Sequence, residues 1–290
     1  NLGLNKRQLR AIGGDPFNMT VGALRLARKS NAVSQLHMKT ANKMWKRVRG
    51  RSEIIGITNA IHIPTWVDEE MLKLAENYTG SESQRNMLWE RHMQNKKELI
   101  EFVENRTGVR LDPDVLLIGF SRRAAPYKRS NLIFTEKTFI EPLIKENKLQ
   151  IIFSGKAHPL DDKGKEIISD IVEMTKLYPD NVVFLENYDM EIGKMLTRGA
   201  DIWLNNPRRP KEASGTSGMK AAMNGVLNVS ILDGWWPEVC DHGVNGWQFG
   251  NAYQSDNEAK ADEHDFKALK NCLINEVIPT YYNNRNKWID

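Results

Sequence analysis

Val115-Leu116-Leu117-Ile118-Gly119-Phe120 leads straight into Ser121-Arg122-Arg123-Ala124-Ala125-Pro126-Tyr127-Lys128-Arg129. The first stretch is apolar without alternation, which is how a strand covered on both faces reads. Four more short apolar runs follow at 150–153, 181–185, 201–204 and 227–232. Helical patterns separate them at 131–146, 161–177, 190–198 and 218–224, and 266–277 and 280–289 read as closing helices. Such alternation predicts an α/β class: a Rossmann-like parallel sheet with helices on both faces, spanning 111–290. Ligands of such sheets sit beyond the C-terminal strand ends, near the switch in strand order. The loops after the runs are therefore where chemistry is expected.

Residues 1–110 read differently. Helical periodicity is expected at 4–12, over one long stretch at 19–49, and at 81–105, with a β-branched segment at 54–66 that turns at Pro64. There are too few strands here for a complete α/β unit. The region reads as the mostly helical tail of an incomplete N-terminal domain plus connecting helices. The chain opens at Asn1 rather than Met, so a fragment or a processed chain is expected.

Composition narrows the classes. A net charge of +4 with dispersed basic residues suits small anions better than a polyanion, so no nucleic acid is expected. No apolar run approaches the ~18 residues of a membrane span. Cys240 and Cys272 cannot build a disulfide framework, which points to a reducing, cytoplasmic compartment. His37, His62, His92, His158, His242 and His264 lack metal-ligand spacing, and no metal is expected.

In the loop after the first run, Arg122, Arg123, Lys128 and Arg129 place four cations within eight residues. A solvated patch is the competing reading, but guanidinium forks at a ligand-facing edge suit phosphate. Ser154-Gly155-Lys156-Ala157-His158 and Glu186-Asn187-Tyr188 are weaker signals, each equally readable as a structural turn. The strongest is Glu212-Ala213-Ser214-Gly215-Thr216-Ser217-Gly218-Met219-Lys220, a flexible stretch opening a helix. Backbone N–H groups at a helix start favour an anion. It has neither GxxxxGK[ST] nor GxGxxG spacing. Lys220 lies in the first helical turn, where a cation opposes the dipole, and binding a cofactor would be a reason for it. After the fifth run, Asp233-Gly234-Trp235-Trp236-Pro237-Glu238 pairs two tryptophans, readable as core packing or as a sugar platform.

Together these loops resemble the α-glucan phosphorylases of glycogen, starch and maltodextrin, above all their shorter bacterial and archaeal branch. The likeness covers nearly the whole chain but only the C-terminal part of such an enzyme. It rests first on 212–220 followed by Asn224-Gly225, and next on Tyr127-Lys128-Arg129. The resemblance implies a two-domain GT-B glycosyltransferase fold, of which this chain holds the C-terminal half. It implies pyridoxal 5′-phosphate carried on Lys220 as a Schiff base. Arg122, Thr216, Ser217 and Gly218 would hold the cofactor phosphate, and Tyr188 would lie near its ring. Arg123 and Lys128 would bind the substrate phosphate beside Tyr127. Glu212, Ala213, Ser214 and Gly215 would bind glucose hydroxyls together with Asn59 of the Thr58-Asn59 pair. Asn31 stands where longer members carry a histidine that contacts the sugar, and Ala125-Pro126 replaces a His-Glu pair. The family takes a Gly-rich phosphate loop from its first domain, and none precedes residue 50.

The implied reaction is phosphorolysis of an α-1,4-glucan or maltodextrin by inorganic phosphate, giving α-D-glucose 1-phosphate. Lys220, Arg123 and Lys128 are the candidate catalytic residues, and weak turnover is expected from this chain alone. The alternatives are a nucleotide-sugar glycosyltransferase of the glycogen-synthase type, which needs no Schiff base, and a non-catalytic glucan-binding fragment.

Overall fold

The computed structural model of the chain describes residues 3–290. The first part contains α1 (Lys6–Gly13), α2 (Met19–Leu26), β1 (Ser30–Ala32), α3 (Gln35–Met44), β2 (Ile54–Gly56), α4 (Ile63–Trp66), α5 (Glu69–Glu76) and α6 (Glu82–Thr107). The single helix expected at 19–49 is in fact two helices with a strand between them. Ser30, Asn31 and Ala32 pair in parallel with Ile54, Ile55 and Gly56. The Ser34 side chain then caps α3, accepting from the His37 N–H at 3.1 Å. The periodicity carried across a break that the strand pairing and the cap together enforce. Leu24, Ala32, Ala41 and Ile54 form the small core here.

The sheet follows: β3 (Leu117–Ser121), α7 (Lys137–Lys145), β4 (Gln150–Ser154), α8 (Asp162–Leu177), β5 (Val182–Leu185), α9 (Met190–Gly199), β6 (Ile202–Asn205), α10 (Thr216–Ala222), β7 (Leu227–Ile231) and β8 (Gly246–Phe249). The chain closes with α11 (Glu258–Cys272), a π-helical segment at Leu273–Val277, α12 (Ile278–Asn283) and α13 (Arg285–Ile289). The six strands are all parallel, in the order β5-β4-β3-β6-β7-β8. The chain winds outward from β3, returns, and winds the other way from β6. This doubly wound order puts the switch point between β3 and β6.

Side-chain alternation sorts the sheet's two faces. Leu116, Ile118, Phe120, Ile151, Phe153, Ile202 and Leu204 pack with α7, α8, α11 and α12. Leu117, Ile152 and Trp203 pack with α6, α9 and α10. Helix α6 precedes residue 111, yet its Leu99, Ile100 and Val103 belong to this second face. Among the described residues, no helix is long and apolar enough to cross a membrane.

Other elements differ from the sequence reading as well: α5 was not expected, and the helix expected at 280–289 is split into α12 and α13. β8 was not foreseen, because Gly246-Trp247-Gln248-Phe249 is short and opens on glycine. The helix expected from 131 begins only at Lys137, after a 3-10 turn at Leu132–Phe134. The helix expected from 266 begins at Glu258, capped by Asn257, because its first two turns are polar and carry no apolar stripe.

A fully buried ion pair sits at the base of the switch. Lys96 of α6 reaches Asp201, just before β6, at 2.6 Å, and both side chains have no solvent exposure. Asp201 also accepts from the Leu117 N–H at 2.7 Å and pairs with His92 Nε2 at 2.8 Å. Lys96 Nζ donates to the Val115 carbonyl as well, at 2.7 Å. Burial works to raise the Asp201 pKa, but Lys96 and His92 outweigh it and hold it below the usual carboxylate range. Removing one member of such a pair strands its partner. Lys96→Met is therefore expected to cost about 3–5 kcal/mol in urea unfolding. Arg106→Met, which breaks the exposed pair with Glu191, is expected to cost under about 1 kcal/mol. Equal effects of the two substitutions would refute this ranking.

Candidate active site

The loops after β3 and β6 flank the switch point, and their side chains meet there. Arg122 Nη2 and Lys128 Nζ both reach Glu212 Oε2, the former at 2.5 Å. All three side chains are at least nine-tenths buried. Arg122 also donates to the Asn205 side chain at the end of β6. Burial pushes the Glu212 carboxyl up, and the Arg122 and Lys128 charges together overcome this and hold it below its usual range. Two cations converging on one oxygen make this a site organised around negative charge.

The backbone of Glu212 is fixed separately. Asp233, at the end of β7, accepts from the Glu212 N–H and from its neighbour Gly234 N–H, both at 2.9 Å. Gly234 has φ +59°, and a Cβ there would lie 2.2 Å from the Ser214 carbonyl oxygen, so only glycine fits this crossing. Burial pushes the Asp233 carboxyl up to about 7, against the opposing pull of the Glu212 and Gly234 N–H groups. The Ser214 carbonyl accepts from the Trp235 N–H at 2.9 Å, while Ser214 Oγ is buried without a partner.

Helix α10 starts at Thr216 behind Gly215, which has φ +87° and provides no side-chain cap. The Gly218 N–H bonds back to the Gly215 carbonyl at 3.1 Å, while the N–H groups of Thr216 and Ser217 precede the first intrahelical acceptor. Ser217 Oγ accepts from Trp203 Nε1 at 3.3 Å, and the Gly218 carbonyl accepts from Asn228 at 3.0 Å. Lys220 is half-buried with its Nζ 3.2 Å from the centre of the Trp66 ring. Among the described residues no carboxylate pairs with it, and burial holds its pKa below the usual lysine range.

The first region closes over this turn. Ser34 Oγ donates to the Ala213 carbonyl at 2.8 Å. Glu238 accepts from the Gln35 N–H at 2.9 Å and from Thr58 Oγ1 at 2.6 Å. Arg198 donates to the Trp66 and Val67 carbonyls at 3.1 and 2.6 Å.

Of the residues singled out in the sequence, 212–220, Arg122 and Lys128 thus come together. Tyr127 is half-buried beside them, its ring 4.8 Å from Lys128 Nζ. Arg123 is exposed and forms no ion pair among the described residues. Asn59 and Asn31 are exposed on the first region, Asn59 held through its N–H by the Val33 carbonyl and Asn31 in β1. Tyr188 is half-buried after β5 and packs on α9, where a Cβ on Gly193 would lie 2.6 Å from its hydroxyl.

One expectation needs correcting. Arg129 is not a free cation for phosphate. It is buried at φ +53° and bound to Asp262, Asp265 and the Asn206 and Pro207 carbonyls, which ties its loop to α11. Trp236 is 2% exposed and belongs to the interior, in line with the core-packing alternative for the tryptophan pair. Sequence reasoning missed Ser34, Trp66, Asn205 and the anchoring role of Asp233. Only Asp233 carried a local signal, its position directly before a glycine at a strand end.

A family model described as carbohydrate phosphorylase matches residues 25–280. A maltodextrin phosphorylase of Thermococcus litoralis is 39% identical over 99% of the chain and 39% of its own length. A glycogen phosphorylase of Aquifex aeolicus is 40% identical over 97% of the chain and 46% of its own length. A glycogen phosphorylase of Mycobacterium bovis is 36% identical over 97% of the chain. The chain spans less than half the length of these relatives.

Asp233 leaves a pH signature. Its folded pKa is raised, so the native state keeps a proton that the unfolded chain has already lost. Its contribution to stability is therefore full below the ordinary carboxylate range and is lost as pH rises through about 7. Asp233→Asn cannot titrate. In urea unfolding, the stability of wild type relative to Asp233→Asn is expected to fall from about pH 5 to about pH 8. A difference that stays constant over that range refutes the assignment.

Proposed function

We propose that this chain, which belongs to the carbohydrate phosphorylase family, carries the phosphate-handling part of a hexosyltransferase. That enzyme splits α-1,4-glucans or maltodextrins with inorganic phosphate and releases α-D-glucose 1-phosphate. The observation that carries the reading is Lys220: a half-buried amine without an acidic partner, one turn into an uncapped helix beside the Arg122–Glu212–Lys128 cluster.

Pyridoxal 5′-phosphate fits these residues. Lys220 Nζ is the one group here suited to hold an aldehyde, and desolvation favours its neutral, nucleophilic form. The start of α10, which no side chain caps, offers backbone donors suited to an anion. Lys220 would hold the ring end, with Tyr188 bordering it. Arg122, Thr216, Ser217 and Gly218 would hold the phosphate. When bound, the cofactor supplies a second phosphate group that exchanges a proton with the substrate phosphate.

The remaining work falls to the chain. Arg123 and Lys128 bind and orient inorganic phosphate, and Tyr127 packs against Lys128. Glu212, Ala213, Ser214 and Gly215 bind the terminal glucose, with Asn59 and Asn31 approaching from the first region. Two phosphates side by side repel, and the cations converging here offset that repulsion where little water screens it. The Glu212 carboxylate occupies those cations in the meantime, so the site carries no uncompensated buried charge. A cytoplasmic location belongs to the same proposal, on the two free cysteines and the printed name of a cytosolic plant relative, 28% identical over 61% of the chain.

Incubation with pyridoxal 5′-phosphate is expected to produce a new absorbance band and, after borohydride reduction, a stable mass adduct on Lys220. Lys220→Ala is expected to abolish both while keeping the fold, judged by circular dichroism. An adduct of equal yield in Lys220→Ala, or none in the wild type, refutes the reading.

A further inference from the structure

The net charge of +4 conceals a division of charge along the chain. Residues 1–51 hold twelve of the 41 Lys and Arg but only one of the 37 acids, Asp15, a formal net of +11. Residues 52–290 hold 29 against 36, a net of −7. The cations are therefore not dispersed, as the whole-chain charge suggests. Ten of the twelve are exposed. Among the described residues, the one ion pair that any of them makes is Arg10 with Asp15 at 2.5 Å.

The other two hold this region together. Arg25 donates to the Ala11 and Ile12 carbonyls at 2.8 and 3.1 Å and to the Arg49 carbonyl at 3.1 Å. Arg51 donates to the Trp45 carbonyl at 3.0 Å and to the Asn42 side chain at 3.1 Å. Arg25 thus ties the end of α1, the end of α2 and the segment after α3 to one point. Arg10, Arg28, Lys29, Arg47 and Arg49 stand within a few residues of those tied positions, which gathers their charges on one part of the surface.

Apolar side chains share that surface. Met19, Ala23 and Leu26 are exposed at i, i+4 and i+7, on one face of α2. Met19 is 78% and Leu26 71% exposed, and the stripe ends just before Arg28 and Lys29. Met44, at the end of α3, is 65% exposed between Lys43 and Lys46. A nucleic acid would satisfy the cations and leave these side chains in water. The surface of an anionic bilayer takes up both, because Leu and Met enter the headgroup boundary while Lys and Arg meet lipid phosphates. Ser34, at the start of α3, touches the 212–220 turn, and the helix carries the chain about 15 Å away from it to Met44.

We propose that the basic first region is a docking surface for an anionic lipid bilayer, on which the protein lies without crossing it. The bilayer attracts this region and repels the acidic remainder, so the division of charge also orients the molecule. Docking needs no cofactor and no turnover, and its test stands apart from the phosphorolysis reading.

The probes are vesicles of phosphatidylcholine alone and of phosphatidylcholine and phosphatidylglycerol in equal parts, sedimented with the 290-residue chain. Binding is expected only to the second, and is expected to be lost as salt rises from about 0.01 to about 1 M and the Debye length shortens from about 30 to about 3 Å. Arg28→Gln combined with Lys29→Gln is expected to weaken it about thirtyfold. Leu26→Ser is expected to weaken it about tenfold. Lys97→Gln combined with Lys163→Gln, which removes two exposed cations outside the region, is expected to leave it unchanged. All variants are exposed positions, and circular dichroism checks that they keep the fold. The proposal is overturned by no sedimentation with the anionic vesicles, by equal binding to both kinds, or by equal losses in the two double variants. Binding undiminished by Leu26→Ser, together with equally tight binding of a single-stranded RNA oligonucleotide, overturns it in favour of a nucleic acid.

Discussion

The buried contact of Lys96 with Asp201 is the constraint on which the rest of this structure hangs. Asp201 immediately precedes β6, and its carboxylate and N–H both bind the backbone of Leu117 in β3. Lys96 adds the Val115 carbonyl and the hydroxyl of Tyr281 in α12. One carboxylate thus fixes the register of the two strands between which the sheet reverses and pins a helix from each face to that point. A charge taken wholly out of water tolerates little displacement, because any gap leaves it both unsolvated and unpaired. The relative height of β3 and β6 is set there, and with it the positions of the loops at their opposite ends.

Those loops solve the reverse problem. At the base, charges are closed off by mutual satisfaction. At the top, two cations are gathered around one carboxylate oxygen, and a lysine lies against an indole ring with no carboxylate paired to it among the described residues. The carboxylate that gathers them is held through its backbone by Asp233, so the arrangement does not rely on the flexible Glu212 side chain alone. Gly234 permits the crossing that makes this grip possible. The outcome is a region whose shape is rigid while part of its polar capacity is unspent.

The sheet was legible because a doubly covered strand has a direct signature: Val115 to Phe120 is apolar at every position, and both faces of β3 are indeed buried. The turn at 212–220 was legible because its glycines and hydroxylated residues ahead of a helix are locally odd; the lysine expected to oppose the dipole in the first turn lies instead in the last turn of the short α10, where a cation suits it. What escaped was whatever depends on distant partners. Lys96 lies in a charged helix, and nothing around it distinguishes it from solvated neighbours such as Lys97. Arg129 looked like its fellow cations until α11 supplied carboxylates far along the chain. β1 is three residues long, and only its pairing with β2 makes it a strand. Ser34 and Trp66 reach the site through tertiary contact alone, so no local pattern could have announced them.

Trp66 lies before the sheet begins, yet its ring covers the amine of Lys220, and Ser34 and Thr58 fasten the segments that flank that lysine's turn. The portion that looks self-contained by topology is therefore not the portion that recombination could transplant with its chemistry intact. A graft cut at the first strand of the sheet would deliver Lys220 to its new host as an ordinary solvated amine. The smallest inheritable unit of this site has to carry its roof along with its floor.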